Sequence, residues 1–238
     1  MRDVLFLPST EDKEIVISTD CSGGIGEKPA DIVLAPDRTV AYFAIRVAIM
    51  ELMAVGAKPS AVILANFTGD RSWKEYIAGI HQSFDELEIV PLPIVGSTET
   101  NMTLQQSALG LTILGEVQKQ QKRLKKTPAN ACFAVLGVPL IGERVLTEKG
   151  RVAPLSLFRK CLEFTGIYEI VPIGSKGILY ELEHLLHVNG IASQRIDSLL
   201  DLHASAGPST CFLISYEQSL ESRLQLLAGD HFNKVTIQ

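Results

Sequence analysis

The sequence predicts an α+β fold, with α/β mixing in each half, and a division into two domains. Short segments rich in β-branched residues alternate with helical segments throughout the chain. Between the halves lies QKQQKRLKKTPAN, which holds five basic residues and no acid. A length of 238 residues accommodates one or two domains at ~100–200 residues each. We therefore predict an N-terminal domain over residues 1–117, an exposed basic linker over 118–130 and a C-terminal α+β domain over 131–238.

The composition excludes several classes of function. A net charge of -5 gives no electrostatic reason to expect nucleic-acid binding, although the basic run has phosphate contact as an alternative role. The four cysteines are scattered without a C-x-x-C pair, which argues against a zinc site and favours reduced thiols. Acids interrupt the N-terminal segment, and no apolar run reaches ~18 residues, so we expect a cytoplasmic protein without a membrane span.

Helices and strands alternate in the N-terminal half. A long helix is predicted to open at Pro36 and to end near residue 55, because Gly56 and Pro59 are stop signals. An amphipathic helix is predicted over residues 73–87. The predicted strands of this half are 14–19, 31–35, 61–67, 93–97 and 107–117.

The C-terminal half shows the same mixture. Its predicted strands are 131–138, 169–173, 209–216 and 232–237, and its predicted helices are 154–164, 177–189 and 217–228.

The first candidate site is ISTDCSGGIGEK, residues 17–28. Here a predicted strand delivers Asp20 into a loop that contains three glycines. Glycines let backbone N–H groups approach phosphate oxygens, and a carboxylate beside them is a hard ligand for Mg²⁺. The spacing matches neither G-x-x-x-x-G-K-[ST] nor G-x-G-x-x-G, which excludes the Walker and Rossmann motifs. An ordinary loop is the alternative interpretation.

The second candidate is Glu51, in a helix that is apolar on nearly every side. A buried carboxylate needs a cation or hydrogen-bond donors. Arg46 lies roughly 140° away round the helix at ~100° per residue, which makes it a poor local partner. Glu51 therefore needs a partner from another element. A structural ion pair and a metal both satisfy this requirement.

The third candidate is PIVGSTETNMT, residues 93–103, where Ser97, Thr98, Glu99 and Thr100 follow a predicted strand. Small hydroxyls and one carboxylate at a strand end suit a metal-bound phosphate. A capped turn is the competing interpretation.

Other polar residues give weaker signals. Asp70 follows another strand and is expected to cap the helix that begins near Ser72. The five histidines form no metal-binding spacing. Cys21 adjoins Asp20 and is interpreted as a small buried thiol rather than a nucleophile.

Together and in this order, these segments resemble the superfamily of aminoimidazole ribonucleotide synthetase, selenophosphate synthetase, thiamine-monophosphate kinase and hydrogenase maturation factor E. STDCSGG resembles the family's T-x-D-S motif and places Asp20 in it. MELMAVGAKP resembles the buried helix N-x-x-D-[LV]-x-A-M-G-A-x-P and places Glu51 at the acidic position. GSTET resembles G-G-D-T and places Glu99. The G-A-x-P helix is the most specific part of the resemblance.

The resemblance covers almost the whole chain, with departures from the family pattern. GSKGILYELEHLLHVNGIASQRID resembles a glycine turn followed by a helix, with Ser175-Lys176-Gly177 in place of D-G-G. Asp3 loosely matches an N-terminal family aspartate. Two of the three acids are Glu rather than Asp. The cysteine or selenocysteine of selenophosphate synthetase has no clear counterpart, which argues against that activity.

The resemblance implies an enzyme, namely an ATP- and Mg²⁺-dependent kinase of a small molecule. Compact members with a G-S-T-E-[ST]-N segment resemble α-ribazole kinase, so α-ribazole, a nucleoside of cobalamin lower-ligand salvage, is the expected acceptor. The alternatives are another ATP-dependent enzyme, of the synthetase, cyclo-ligase or thiamine-monophosphate kinase type, and a non-catalytic nucleotide-binding dimer module. Family members are homodimers whose N-terminal mixed sheets form a joint barrel with ATP near the interface, and whose C-terminal domain is an α+β sandwich.

The resemblance also assigns roles to residues. Asp20 and Glu51 are the expected catalytic residues, and with Glu99 they are the expected Mg²⁺ ligands. Lys28 and Arg46 are basic residues expected to reach phosphate. The expected nucleotide contacts are Gly23, Gly24, Gly26, Ser97, Thr98 and Thr100.

Overall fold

The structure, a computed structural model, describes residues 3–192 and 195–237. The chain divides into two compact units, Met1–Lys122 (unit 1) and Arg123–Gln238 (unit 2), and each is described by itself. Both units mix helices with a five-stranded sheet, so the predicted α+β class is confirmed.

Unit 1 is built on a mixed sheet with strand order β1-β2-β7-β5-β6. Neighbouring strands are antiparallel except β5 and β6, which run parallel. Its elements are β1 (Val4–Pro8), β2 (Lys13–Gly23), β3 (Ile25–Gly26), β4 (Val33–Leu34), α1 (Asp37–Ala54), β5 (Lys58–Asn66), α2 (Trp73–Glu86), β6 (Ile94–Thr98) and β7 (Ala108–Gln118).

One face of this sheet is covered by α1, which in turn packs against α2. Leu52 of α1 lies so close to Gly115 of β7 that a β-carbon there would come within 2.9 Å of it. At the crossing of the helices, a β-carbon on Gly79 would press against the backbone of Arg38 and Tyr42. The sandwiched position of α1 explains why its residues are buried on nearly every side.

The opposite face of the sheet, the open face, has no helix of unit 1 packed on it. Leu5 is 55% exposed there and Val95 is 66% exposed, with Leu7 and Ile63 also exposed. The strand registers place these four side chains on one surface, because cross-strand partners point to the same side of a sheet. These apolar side chains lie on β1, β5 and β6, so the apolar surface includes both edge strands of the sheet.

Three local predictions for unit 1 need correction. β2 continues to Gly23, so Asp20 lies inside the strand and not in a loop beyond it. The ladder continues because β7 starts at Ala108, which pairs with Gly23. β1 was not predicted, and the strand predicted at 31–35 is only the two-residue β4, because the Asp31 N–H donates to the Lys28 carbonyl in a turn and β4 pairs with the two-residue β3.

Unit 2 contains an antiparallel sheet with strand order β10-β12-β8-β11-β9. Both faces of β11 are buried: α5 covers one, and on the other Phe158 of α4 packs edge-on against Phe212, with ring centroids 5.4 Å apart. The elements are β8 (Cys132–Gly137), α3 (Glu143–Thr147), α4 (Leu155–Glu163), β9 (Ile167–Pro172), α5 (Gly177–Val188), β10 (Ile196–Ser198), β11 (Cys211–Tyr216), α6 (Glu221–Ala228) and β12 (Phe232–Ile237).

Part of the basic run at 118–130 is held in place by a buried carboxylate of unit 2. The Glu169 carboxylate accepts hydrogen bonds from the backbone N–H groups of Lys125, Lys126 and Thr127, each at 3.2 Å, and from the Thr127 hydroxyl at 2.7 Å. Thr127 itself is buried. The run is therefore not exposed along its whole length.

No helix in the described part of the chain has the length and apolar character needed to cross a bilayer.

Candidate functional site

Asp20 lies within β2, on the face of the sheet that α1 covers. Val16 and Ser18 are buried on this face, whereas Thr19 and Cys21 are exposed on the other. Burial raises the pKa of the Asp20 carboxyl to about 7, and a hydrogen bond with the Cys21 backbone opposes this rise. No basic side chain in the described part of the chain lowers this pKa. A cation bound at Asp20 would favour the ionised carboxylate and supply the missing positive charge.

The exposure of Cys21 corrects one prediction. A buried thiol was expected beside Asp20, but the side chains of a strand alternate between its faces. The Cys21 side chain therefore lies on the open face of the sheet, where it is exposed.

The glycine loop, residues 23–34, begins at Gly23, the last residue of β2, and turns at Gly24. Gly24 has φ 71°, a left-handed conformation that side chains disfavour. Its N–H donates to the Ser107 carbonyl at 2.8 Å, and its carbonyl accepts from Ile32 at 2.7 Å. The Gly24 amide is thus already used within the fold, which corrects the expectation that it faces phosphate. Gly26 lies directly against the Ser107 hydroxyl, where a β-carbon would collide.

A carboxylate fastens this loop to the start of β7. Asp31 accepts hydrogen bonds from the Ser107 N–H and hydroxyl, both at 2.7 Å, and from the Lys28 N–H at 2.8 Å. Partial burial opposes ionisation, but the bonds from Ser107 and Lys28 and the Lys28 charge together lower the pKa of Asp31. The Lys28 ammonium donates to the Leu104 carbonyl at 2.8 Å and to the Gln106 carbonyl at 3.5 Å, so one of its three N–H donors remains for the expected contact with phosphate.

The segment that carries Ser97, Thr98, Glu99 and Thr100 begins at the end of β6. Asn66, almost fully buried, donates to the Thr98 hydroxyl at 3.1 Å, and the Glu99 N–H donates to the Asn66 carbonyl at 2.8 Å. Ser97 and Thr100 are exposed.

Glu99 caps its own turn, as the competing interpretation of this segment predicts. Its Oε1 accepts hydrogen bonds from the N–H groups of Met102 at 3.0 Å and Asn101 at 2.6 Å. These bonds lower the pKa of Glu99. The carboxylate is therefore ionised near neutral pH and tied to the turn through one oxygen.

Glu51 and Arg46 are both buried in α1, at 8% and 0% exposure. Arg46 bonds to the Tyr42 hydroxyl, which donates to Glu86 at 2.9 Å. Burial is the main cause that raises the pKa of Tyr42 to about 12. Complete burial keeps Arg46 from reaching a phosphate at the surface, so that expectation is corrected.

The three predicted ligands do not form a metal cage. Within residues 3–192 and 195–237, no three His, Cys, Asp or Glu side chains converge closely enough to hold one ion. Mg²⁺ commonly takes one or two carboxylates together with water and substrate phosphates. The carboxylate oxygens of Asp20 and Glu51 fit such a shared site in their chemistry.

Asn66 and Thr68 are organising residues whose role the sequence did not reveal. The Thr68 hydroxyl bonds to the Tyr76 hydroxyl at 2.6 Å and to both backbone groups of Ala108, at 3.0 and 3.1 Å. These contacts join distant parts of the chain, so no local pattern encodes them. Asp70, the expected helix cap, makes no side-chain capping bond at the start of α2 or of the turn before it.

The mixed sheet backed by two helices, with a partly buried carboxylate beside a glycine loop, defines a recognisable class of domain. Residues 2–117 match the family model described as AIR synthase related protein, N-terminal domain. The N-terminal half of the chain belongs to this family, and the resemblance inferred from the three motifs is confirmed.

Solved structures share the fold over nearly the whole chain. Thiamine-monophosphate kinase from Stenotrophomonas maltophilia K279a superposes with a TM-score of 0.64 at 15% identity, covering 98% of this chain and 89% of that one. The thiamine monophosphate kinase of Aquifex aeolicus gives 0.67 at 10%, covering 100% and 89%.

T. maritima PurL, solved with ADP, gives a TM-score of 0.65 at 12% identity, covering 100% of this chain. The chain spans only 42% of PurL. At such identities the likeness establishes the fold. A search of curated protein sequences finds no significant match.

Proposed function

We propose that this protein is an ATP- and Mg²⁺-dependent phosphotransferase that acts on a small molecule, with α-ribazole as its acceptor in cobalamin lower-ligand salvage. Family membership of the N-terminal half supports the use of ATP. Among the proteins of similar fold, two are thiamine-monophosphate kinases, one of them solved with AMPPCP and TMP, and PurL is solved with ATP. Our choice of α-ribazole depends only on the resemblance to compact family members that carry a Ser-Gly-Gly/Ala-Ile-Gly loop and a G-S-T-E-[ST]-N segment.

The observation that carries the proposal is the state of Asp20. Its carboxyl is partly buried beside the glycine loop, and burial raises its pKa to about 7 without help from a basic neighbour in the described residues. Such a group is poised for a cation, because a structural carboxylate normally has a cationic or donor partner. We assign Asp20 and Glu51 to Mg²⁺, which when bound neutralises charge on the ATP phosphates.

The remaining residues position the nucleotide. We assign the backbone at Gly23 and Gly26 and the hydroxyls of Ser97, Thr98 and Thr100 to phosphate contacts. The Thr98 hydroxyl accepts its bond from Asn66, so its hydrogen is available for donation to a phosphate oxygen. Glu99 keeps its turn through Oε1, and because the three acids do not converge on one ion in the described residues, we assign its other oxygen to a second Mg²⁺ on the same phosphates. Phosphoryl transfer then depends on positioning and electrostatics.

The apolar open face of unit 1 supports a homodimer. Leu5, Leu7, Ile63 and Val95 are exposed on it together, and an apolar surface of this kind marks an interaction site. We propose that two copies join through these faces to form the joint barrel of the family, with ATP bound near the interface.

The proposed activity is tested with purified protein, ATP, Mg²⁺ and a panel of acceptors: α-ribazole, thiamine monophosphate and common nucleosides. A phosphomonoester formed from α-ribazole is the expected product. Free phosphate with a condensed product would indicate a synthetase or cyclo-ligase instead. Binding of ATP that is insensitive to both Mg²⁺ and Asp20→Asn would indicate a non-catalytic nucleotide module.

A further inference from the structure

We propose that Asp31 is a positioning residue, which holds the glycine loop and the β6–β7 loop (residues 99–107) in the arrangement that binds the nucleotide. The proposal rests on the proposed function. Asp31 does not itself contact the nucleotide in this scheme. It acts through Ser107 and through the backbone of the glycine loop.

The Asp31 carboxylate joins segments that are far apart in the sequence. Oδ1 accepts from the Ser107 N–H, and Oδ2 accepts from the Ser107 hydroxyl and the Lys28 N–H, all within 2.8 Å. Both oxygens therefore serve the same connection. Hydrogen bonds to an ionised carboxylate are stronger than those to a neutral acceptor, and Asp31 accepts three of them here.

Further hydrogen bonds connect the same two loops. The Lys28 ammonium donates to the Leu104 carbonyl at 2.8 Å, and the Gln106 amide donates to the Ala30 carbonyl at 2.8 Å. The Gly24 N–H donates to Ser107 at 2.8 Å. Two loops that the sequence presents as separate candidates are thus one connected structure. We call this set of bonds the loop clasp.

The loop clasp adjoins both groups of assigned nucleotide contacts. On one side, the Ser107 hydroxyl fills the space that a β-carbon of Gly26 would need. On the other side, Ala108 follows Ser107 and donates its N–H to the Thr68 hydroxyl at 3.0 Å. A displacement of Ser107 would therefore reach Gly26 directly and would disturb the anchoring of Thr68.

From Thr68 the contacts continue to the end of β6. The Thr68 N–H donates to the Asn66 side-chain oxygen at 2.9 Å, and the Asn66 amide donates to the Thr98 hydroxyl at 3.1 Å. Packed hydrogen-bond networks of this kind transmit displacement because each partner has few alternative acceptors. Asp31 thereby influences the placement of Thr98 as well as that of Gly26.

Replacement of Asp31 by Asn keeps the shape of the side chain and breaks the clasp. An amide has one acceptor oxygen and presents donors where the carboxylate accepts. In Asp31→Asn the amide nitrogen would oppose the Lys28 or Ser107 donors. The loops should then populate arrangements that do not bind nucleotide, which weakens the apparent affinity by the fraction of competent molecules.

The test measures the affinity of Mg²⁺·ATP by calorimetry and the steady-state constants with the best acceptor. For Asp31→Asn we expect the Kd and KM for ATP to rise roughly tenfold while kcat changes less than about threefold, as a loss of competent population requires. Ser107→Ala should have a smaller effect in the same direction. The double variant should be no worse than Asp31→Asn, because both substitutions break one contact.

Glu169→Gln is the matched control. Glu169 also accepts several backbone N–H bonds from a loop, but it lies in unit 2. Glu169→Gln should lose a comparable set of hydrogen bonds without a change in the Kd for ATP. This result would distinguish the positioning of the nucleotide-binding loops from a general loss of stability. Equal weakening by Asp31→Asn and Glu169→Gln would overturn the proposal, as would a wild-type Kd in Asp31→Asn.

Amide hydrogen exchange of the ligand-free chain decides the structural part independently. Asp31→Asn should speed exchange both in the glycine loop and at residues 99–107, whereas faster exchange confined to the glycine loop contradicts a clasp. A wild-type chain that binds no ATP would overturn the proposed function. The exchange pattern would then still show whether Asp31 holds the two loops together.

Discussion

At the scale of single residues, Asp20 is the position where stability and function oppose each other. Its carboxyl has a pKa of about 7 in the folded chain because burial disfavours the charge. An unfolded chain releases this proton at much lower pH. Folding therefore becomes less favourable as pH rises from about 4 to 7, and the cost is fully present above 7.

We expect Asp20→Asn to stabilise the ligand-free protein at pH 8 by about 1–2 kcal/mol, since the amide carries no charge to desolvate. The gain should fall below about 0.5 kcal/mol near pH 4, where the folded carboxyl is protonated and the unfolded one is about half ionised. Urea unfolding at the two pH values measures it. The same variant should lose the stabilisation that Mg²⁺·ATP gives the wild type. A variant less stable than wild type at pH 8 contradicts this account.

A substitution of Glu51 distinguishes its two possible roles, as a ligand of Mg²⁺ and as a partner in a structural ion pair. Glu51→Gln should reduce Mg²⁺-dependent turnover by ~10²-fold or more while the fold persists, because an amide is a poor ligand for Mg²⁺ but fits the same space. Circular dichroism and the turnover assay measure the two effects. Glu75→Gln, at an exposed position of α2, is the control. Unfolding of Glu51→Gln would indicate an ion pair.

At the scale of elements, local signals predicted the longer helices but missed the five-residue α3 and the extent of the sheet. The start and end of α1 match the prediction because Pro36, Gly56 and Pro59 act on their own neighbourhood. The length of β2 depends instead on where its partner β7 begins, and the sequence of β2 itself does not contain that information. The polar network through Asn66 and Thr68 was missed for the same reason.

The crossing of α1 and α2 depends on Gly79. A β-carbon there would press against the Arg38 carbonyl and lie 2.9 Å from the Tyr42 nitrogen. Gly79→Ala should therefore cost about 1–3 kcal/mol, despite the better helix propensity of alanine. Urea denaturation measures the loss. Gly150→Ala, where a β-carbon meets open space, should be nearly neutral. Equal effects of the two substitutions would show that the helices can move apart.

At the scale of the whole molecule, the sequence predicted the mixed fold class but gave no view of the open face. β1 and β2 carry continuous runs of apolar residues, so the side chains that reach the open face are identified only once the strands are paired. Asp20 and Glu51 were found from their local context as well as their family position, and Glu99 mainly from its family position; that the three do not converge on one ion within the described residues required the structure. Sequence patterns record which residues are present, and non-local pairing decides which of them meet.

The proposed association of two copies through the open face can be tested by placing a charge on that face. Val95→Lys places a charge on this face and should convert a dimer to a monomer, because an ammonium loses its hydration in an apolar contact. Light scattering coupled to size exclusion measures the mass. Val90→Lys is the matched control, since Val90 is 82% exposed but lies outside the sheet. A wild-type protein that remains monomeric at high concentration rules out the proposed dimer.

The alternation along β2 has a thermodynamic consequence. Asp20 points towards α1, while Thr19 and Cys21, its immediate neighbours, point to the open face. The proposed assembly on one side of the strand and the proposed ligand binding on the other therefore share a single backbone. If a second copy alters the twist of β2, the coupling must be reciprocal: whatever factor association adds to nucleotide affinity, the nucleotide returns to association. The affinity for nucleotide would then vary with protein concentration, because one strand would carry the nucleotide site on one side and the dimer interface on the other.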